Sequence, residues 1–164
     1  MTFQLVGQEE WAWPNWDQIE KTLINVETSI GLEMFDINVA FVSRQEIITL
    51  NETYRGKPYP TDVLTFPYAP DEAMVGLDEH GLDSFLGDIA ISLEVAKEQS
   101  EAHRHGLDVE LAVLIVHGFL HLLDIDHERS LEEQRHQAEC EMTILAGAGI
   151  NPLRALCGRA MSGH

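Results

Sequence analysis

The sequence predicts a single α/β (α+β) domain, a mixed β-sheet packed against helices, with a central buried helix that carries a set of histidines. Apolar residues recur first with a period of two and then every three or four positions. Their order is strand, helix, strand, helix, strand, strand and then helices, which is that of a layered α/β or α+β structure. The 164 residues are 45% hydrophobic and 23% charged, the composition of one globular domain that buries roughly 70% of its unfolded-chain surface. The stretch AVLIVHGFLHLL at 112–123 is apolar almost throughout, as a helix enclosed by the rest of the fold must be.

Phe3 to Val6 reads as a short first strand. Trp11, Trp13 and Trp16 surround Pro14 and are expected to lid the core. A helix capped by Asn15 or Asp17 runs to about Ile30, with Ile19, Leu23, Val26 and Ile30 on one face. Ile37, Val39 and Phe41 alternate as a half-buried strand. Ser43 and Glu46 then form a capping box for a helix from Arg44 to about Thr53 that buries Ile47, Ile48 and Leu50. YRGKPYPT ends that helix, and Asp62 to Phe66 is the next strand. Residues 69–83 are acidic, lack Lys and Arg, and read as a solvated loop in which His80 is an ordinary exposed histidine. Phe85 to Ser92 is a strand, antiparallel to the preceding one because no crossover helix separates them. Ser92 caps a helix reaching about His105.

Asp108 is placed as the cap of the histidine-bearing helix. Its run Leu111 to Val116 taken alone also fits a buried strand. Ser130 and Glu133 form a second capping box for a last helix to about Ala146. The domain is expected to span residues 1–150, with 151–164 as a flexible tail. His103, His105 and His136 are placed on or near helix surfaces, without convergence.

The net charge of -18 opposes non-specific binding to nucleic acid. An RNA-related role therefore requires a local patch or a larger partner. Two cysteines, Cys140 and Cys157, are too few for a disulfide framework. No apolar run approaches the roughly 20 residues of a membrane helix, and the start lacks the features of a signal peptide, so a cytoplasmic location is expected.

The chemistry-bearing residues are His117, His121 and His127. The first two lie four apart, on one face of a helix, and the third reaches them only if the chain turns back after Leu123. Three neutral imidazoles suit zinc, and three protein ligands leave the open position of a catalytic site. Asp124 or Asp126 could hydrogen-bond a ligand imidazole. Position 118 is glycine where the zinc peptidase pattern His-Glu-x-x-His places its general base, which disfavours a peptidase.

HGFLHLLDIDH, preceded by LAVLIV, resembles the signature of the YbeY family of endoribonucleases and ribosomal-RNA maturation factors. NETYRGKPYPTDVLTFP at 51–67 and LGDIAIS at 86–92 match further family segments in order. The resemblance implies a single α/β domain holding one zinc ion per chain through His117, His121 and His127, with Arg55 as the catalytic basic residue facing the cleft. It implies a single-strand-specific, metal-dependent endoribonuclease acting in 16S rRNA 3′ end maturation and ribosome quality control. The small ribosomal subunit and a ribosome-associated GTPase are the implied partners. Lys57 is a candidate phosphate contact, while Asp62, Asp88 and Thr65 are weighed as structural or cleft residues. Asp124 and Ile125 stand where the family commonly has glycine and an aromatic residue. Two alternatives remain open: a zinc hydrolase acting on another substrate, and a non-catalytic ribosome-assembly factor with a structural zinc.

Overall fold

The computed structural model describes residues 2–31, 36–68, 85–123 and 131–151. They form β1 (Thr2–Val6), α1 (Trp16–Ile30), β2 (Asp36–Val42), α2 (Arg44–Arg55), β3 (Val63–Pro67), β4 (Phe85–Ser92), α3 (Leu93–Ala102), α4 (Leu107–Leu123) and α5 (Leu131–Gly147), with a short 3-10 turn at Gln8–Glu10. The sheet order is β1-β2-β4-β3. β1 and β2 are parallel, as are β2 and β4, whereas β3 runs antiparallel to β4, as expected, with Thr65 opposite Ile89 and Phe66 opposite Asp88. The predicted mixed α/β architecture is the one observed. The acidic stretch 69–83, including His80, lies outside the described residues, as do Ser130 and the tail from 152 onward.

Strand periodicity divides the core in two. Ile37, Val39, Phe41, Ile89 and Ile91 face one side, where Ile19, Leu23 and Val26 of α1 and the length of α4 complete the main core. Leu64 and Ala90, in the opposite phase, meet Ile47 of α2 in a smaller cluster to which Leu50 and Phe66 add. Helices therefore cover both faces of the sheet, and β3 is an edge strand. In α4 ten of the 17 residues are buried, so it is the enclosed central helix of the fold, and the alternative of a strand over 111–116 falls away. Trp11 and Trp16 pack against the core as expected, but Trp13 remains 45% exposed, with Lys97 Nζ 4.9 Å from its ring centre.

The caps follow the sequence at three helices. Asn15 Oδ1 accepts from Gln18 N at 3.2 Å, Ser43 Oγ accepts from Glu46 N at 3.1 Å, and Ser92 Oγ accepts from Val95 N at 3.4 Å. At Ser43 the reciprocal arm of the box goes from its hydroxyl to Glu46 Oε1. α2 continues to Arg55, where Gly56 ends it with φ 67. α3 ends at Ala102, earlier than expected, and Arg104 takes a positive φ of 58. Asp108 is not the cap assigned to it, because α4 begins one residue earlier. Its Oδ2 instead accepts from Thr22 Oγ1 at 2.7 Å, tying the first turn of α4 to α1.

Two glycines set the distance between α4 and the sheet. A Cβ at Gly118 would lie 2.9 Å from Ile89 Cδ1 and 3.3 Å from Thr65 Cγ2, so the helix rests directly on β3 and β4 there. Gly87 has φ 147, a conformation L-residues rarely adopt. A Cβ there would lie 2.3 Å from the Phe66 carbonyl oxygen and 3.0 Å from Leu122 Cδ2.

Candidate metal centre

The buried phase of α4 turns Gly118, Phe119 and Leu122 inward. His117, Leu120 and His121, on the remaining arc, are half-buried, with His117 34% exposed at its side chain. Helical i, i+4 spacing brings the two rings together, with centroids 4.4 Å apart at 75°. Their Nε2 atoms are 2.8 Å apart. Tetrahedral zinc with Zn–N of about 2.0–2.1 Å places two ligand nitrogens about 3.3 Å apart. The pair thus needs to open by only about half an ångström to accept an ion between the two nitrogens.

A third residue, which the sequence did not reveal, organises this pair. Glu141 of α5 reaches back to His117, its Oε1 lying 2.8 Å from Nδ1, and its side chain is only 14% exposed. A carboxylate accepts and cannot donate when ionised, so His117 Nδ1 carries the proton and Nε2 presents a lone pair. This is how metal-ligating histidines are commonly oriented. α5 is held in register by its contact with α1: Ser29 Oγ donates to the Ile144 carbonyl at 2.7 Å, and a Cβ at Gly147 would lie 2.3 Å from Ser29 Oγ. His127, Asp124 and Asp126 lie outside the described residues.

Position 118 faces the sheet, adjoining the arc of α4 that carries the histidines. A glutamate there would have no space, so the base of a His-Glu-x-x-His peptidase is sterically excluded.

A second cluster overturns one expectation. His103 and His105 are not surface residues: their side chains are 4% and 6% exposed, and both converge on Glu110, which is fully buried. Glu110 Oε2 lies 3.2 Å from His103 Nδ1 and 2.5 Å from His105 Nε2. His105 Nδ1 is buried without a hydrogen-bond partner among the described residues. The three residues could hold a metal ion. The sequence concealed them because the turn at 103–106 folds His105 back over the first turn of α4, a consequence of the positive φ at Arg104 that no periodicity records. The side chain of His136 is outside the described residues.

Arg55 and Lys57 stand at and just beyond the end of α2, exposed, with no ion-pair partner among the described residues. Asp62 is 4% exposed, and its carbonyl accepts from Ser92 N at 3.0 Å. Thr65 faces Gly118 of α4, whereas Asp88 is exposed on β4.

An α/β domain whose central helix presents a carboxylate-backed pair of imidazoles has the site that metal-dependent hydrolases build. Comparison with known proteins narrows that class. The family model described as endoribonuclease YbeY matches residues 8–149. The chain is 39% identical over 130 residues to the endoribonuclease YbeY of Aquifex aeolicus, covering 79% of this chain and 81% of that one. It is 41% identical over 139 residues to the Thermoanaerobacter sp. protein of the same name, covering 82% and 86%. The solution structure of a Thermotoga maritima protein, TM1509, superposes with a TM-score of 0.55 at 25% identity, covering 88% of this chain and 90% of that one. The chain belongs to the endoribonuclease YbeY family.

Proposed function

We propose that this protein is a metal-dependent endoribonuclease that cleaves single-stranded RNA during ribosomal-RNA processing, including maturation of the 16S rRNA 3′ end. The observation that carries this reading is the Nε2 pair of His117 and His121, backed at His117 by Glu141, in a chain of this family. His117, His121 and His127 are the proposed ligands of one zinc ion per chain. Zinc bound there would supply Lewis acidity toward a phosphoryl oxygen and ease proton loss from a coordinated water. Glu141 keeps the His117 proton on Nδ1. Arg55, the proposed catalytic residue, would steady the charge that develops on the oxygens of the phosphorane.

The catalytic ion is assigned to His117 and His121 rather than to the cluster at Glu110. The side chains of His103, His105 and Glu110 are only 4%, 6% and 0% exposed, which suits a closed site better than one open to substrate. The His117 side chain, at 34% exposure, is accessible. The proposed single domain is 1–150, and the proposed partners are the small ribosomal subunit and a ribosome-associated GTPase. Among the described residues no single helix is long and apolar enough to cross a membrane, which is compatible with the proposed cytoplasmic site of action.

The test is zinc content together with cleavage of a single-stranded oligoribonucleotide by purified wild type, His117→Ala, His105→Ala and Arg55→Ala. Loss of metal and cleavage in His117→Ala is expected. Retention of metal is expected in Arg55→Ala, with cleavage lost. Metal lost from His105→Ala and kept by His117→Ala would move the ion to the other cluster and sink the assignment.

A further inference from the structure

We propose that Tyr54 and Tyr59, with Arg55 and Lys57 between them, form a stacking platform at the end of α2 that holds the bases of single-stranded RNA. The platform rests on the single-strand RNA reading above and adds to it the residues that would grip the strand. All of residues 52–60 are exposed, and the two tyrosines are 66% and 54% exposed, so both rings are open to a ligand.

They are also held in place. Gly56 closes α2 with φ 67, and Lys57 N donates to the Asn51 carbonyl at 3.3 Å. Asn51 itself is buried, and its Nδ2 donates to the Tyr59 carbonyl at 2.9 Å. The Tyr54 ring stands edge-on to Phe66, with centroids 5.1 Å apart at 73°, which leaves most of its surface open. The braced Tyr54 ring, and the anchored backbone that carries Tyr59, give up little conformational entropy when a base stacks on them.

Charge selects the occupant. In a chain of net charge -18, Arg55 and Lys57 have no ion-pair partner among the described residues, and they flank rings that any base can stack on. Exposed aromatic faces interleaved with cations suit a phosphate-linked single strand better than a protein surface. The position also suits the chemistry. Phe66, under Tyr54, belongs to the α2 side of edge strand β3, while the adjoining Thr65 meets α4 at Gly118, next to His117. The platform and the histidines are thus joined through neighbouring residues of one strand, Phe66 beneath Tyr54 on one face of β3 and Thr65 against α4 on the other.

The test is fluorescence anisotropy of a labelled single-stranded oligoribonucleotide and of its duplex. The full chain is used with metal chelated, so that nothing is cut, in wild type, Tyr54→Ala, Tyr54→Phe, Tyr59→Ala and Lys57→Ala, with circular dichroism as the folding control. Each tyrosine-to-alanine change is expected to weaken single-strand binding by ~5- to 150-fold. Tyr54→Phe should stay near wild type, duplex binding should be little affected, and Lys57→Ala should reduce the salt slope by about one. Wild-type affinity in both alanine variants would overturn the platform. So would weakened binding to ribosomal protein surfaces with RNA binding intact. Tyrosine-dependent binding by a metal-loaded wild type that cuts no RNA would support the platform while refuting the nuclease reading. Cleavage with tyrosine-independent binding would do the reverse.

Discussion

Replacing Glu141 by alanine should cost the protein 10- to 100-fold in zinc affinity, or ~1.4–2.7 kcal/mol, the range found when an outer carboxylate is removed from a ligating histidine. The 2.8 Å contact between Oε1 and His117 Nδ1 has two consequences. It fixes the ring's rotation, and it keeps the proton on Nδ1 so that the Nε2 lone pair faces His121. Alanine removes both and leaves Nδ1 without its acceptor in a partly buried place. Glu141→Gln retains an acceptor oxygen and should lose less, although a neutral amide holds the N–H less strongly than a carboxylate. Because Glu141 is at the α4–α5 contact rather than deep in the core, both variants should fold with little loss of helicity. Competition against a chromophoric chelator gives the affinity, and the nitrogen-15 shifts of the His117 ring report the tautomer. If Glu141→Ala bound zinc as tightly as wild type, with an unchanged His117 tautomer, the assignment of Glu141 as a positioning residue would be refuted.

Gly118→Glu should destabilise the fold by about 3 kcal/mol or more through overpacking and a buried charge, lowering the melting temperature by roughly 10 °C in a chain of this size. A melting curve close to wild type would show that α4 is not seated on Ile89 and Thr65 as described. Gly87→Ala carries both an unfavourable backbone conformation and a clash with the Phe66 carbonyl oxygen. A loss of about 3 kcal/mol in urea denaturation is expected, with hydrogen exchange accelerated first along β3. Ser43→Ala removes the acceptor for Glu46 N and should cost about 1 kcal/mol; a change within a few tenths would mean that solvent satisfies this N–H equally well.

Much of the fold could be read from local pattern. Three helix caps rest on Asn15, Ser43 and Ser92, whose side-chain oxygens act within three residues of their own positions, and such interactions are written in the sequence. The antiparallel placement of β3 against β4 followed from the lack of a crossover helix. The errors came where a distant residue competes with a local signal. Asp108 looks like a cap, but Thr22, 86 positions away, takes its carboxylate. His103 and His105 look like surface residues at a helix end, but Glu110 draws both rings inward.

The candidate site divides along the same line. The spacing of His117 and His121 alone places them on one helical face, because 3.6 residues complete a turn. The glycine at 118 already argued against a peptidase, and three ordered motifs carried the family. Glu141 could not be found this way. It lies in a different helix, 24 residues beyond His117, and nothing in the local pattern of α5 distinguishes it from the other acidic residues there. Its role arises from the packing of α5 against α4, with α5 held to α1 by close contact at Gly147 and Ser29. The order and spacing of the proposed metal ligands are thus properties of the sequence. The contact that orients His117, the burial of the second histidine cluster and the exposure of Tyr54 and Tyr59 belong to the tertiary structure, because hydrogen bonds and packing act between residues that the chain brings together only on folding.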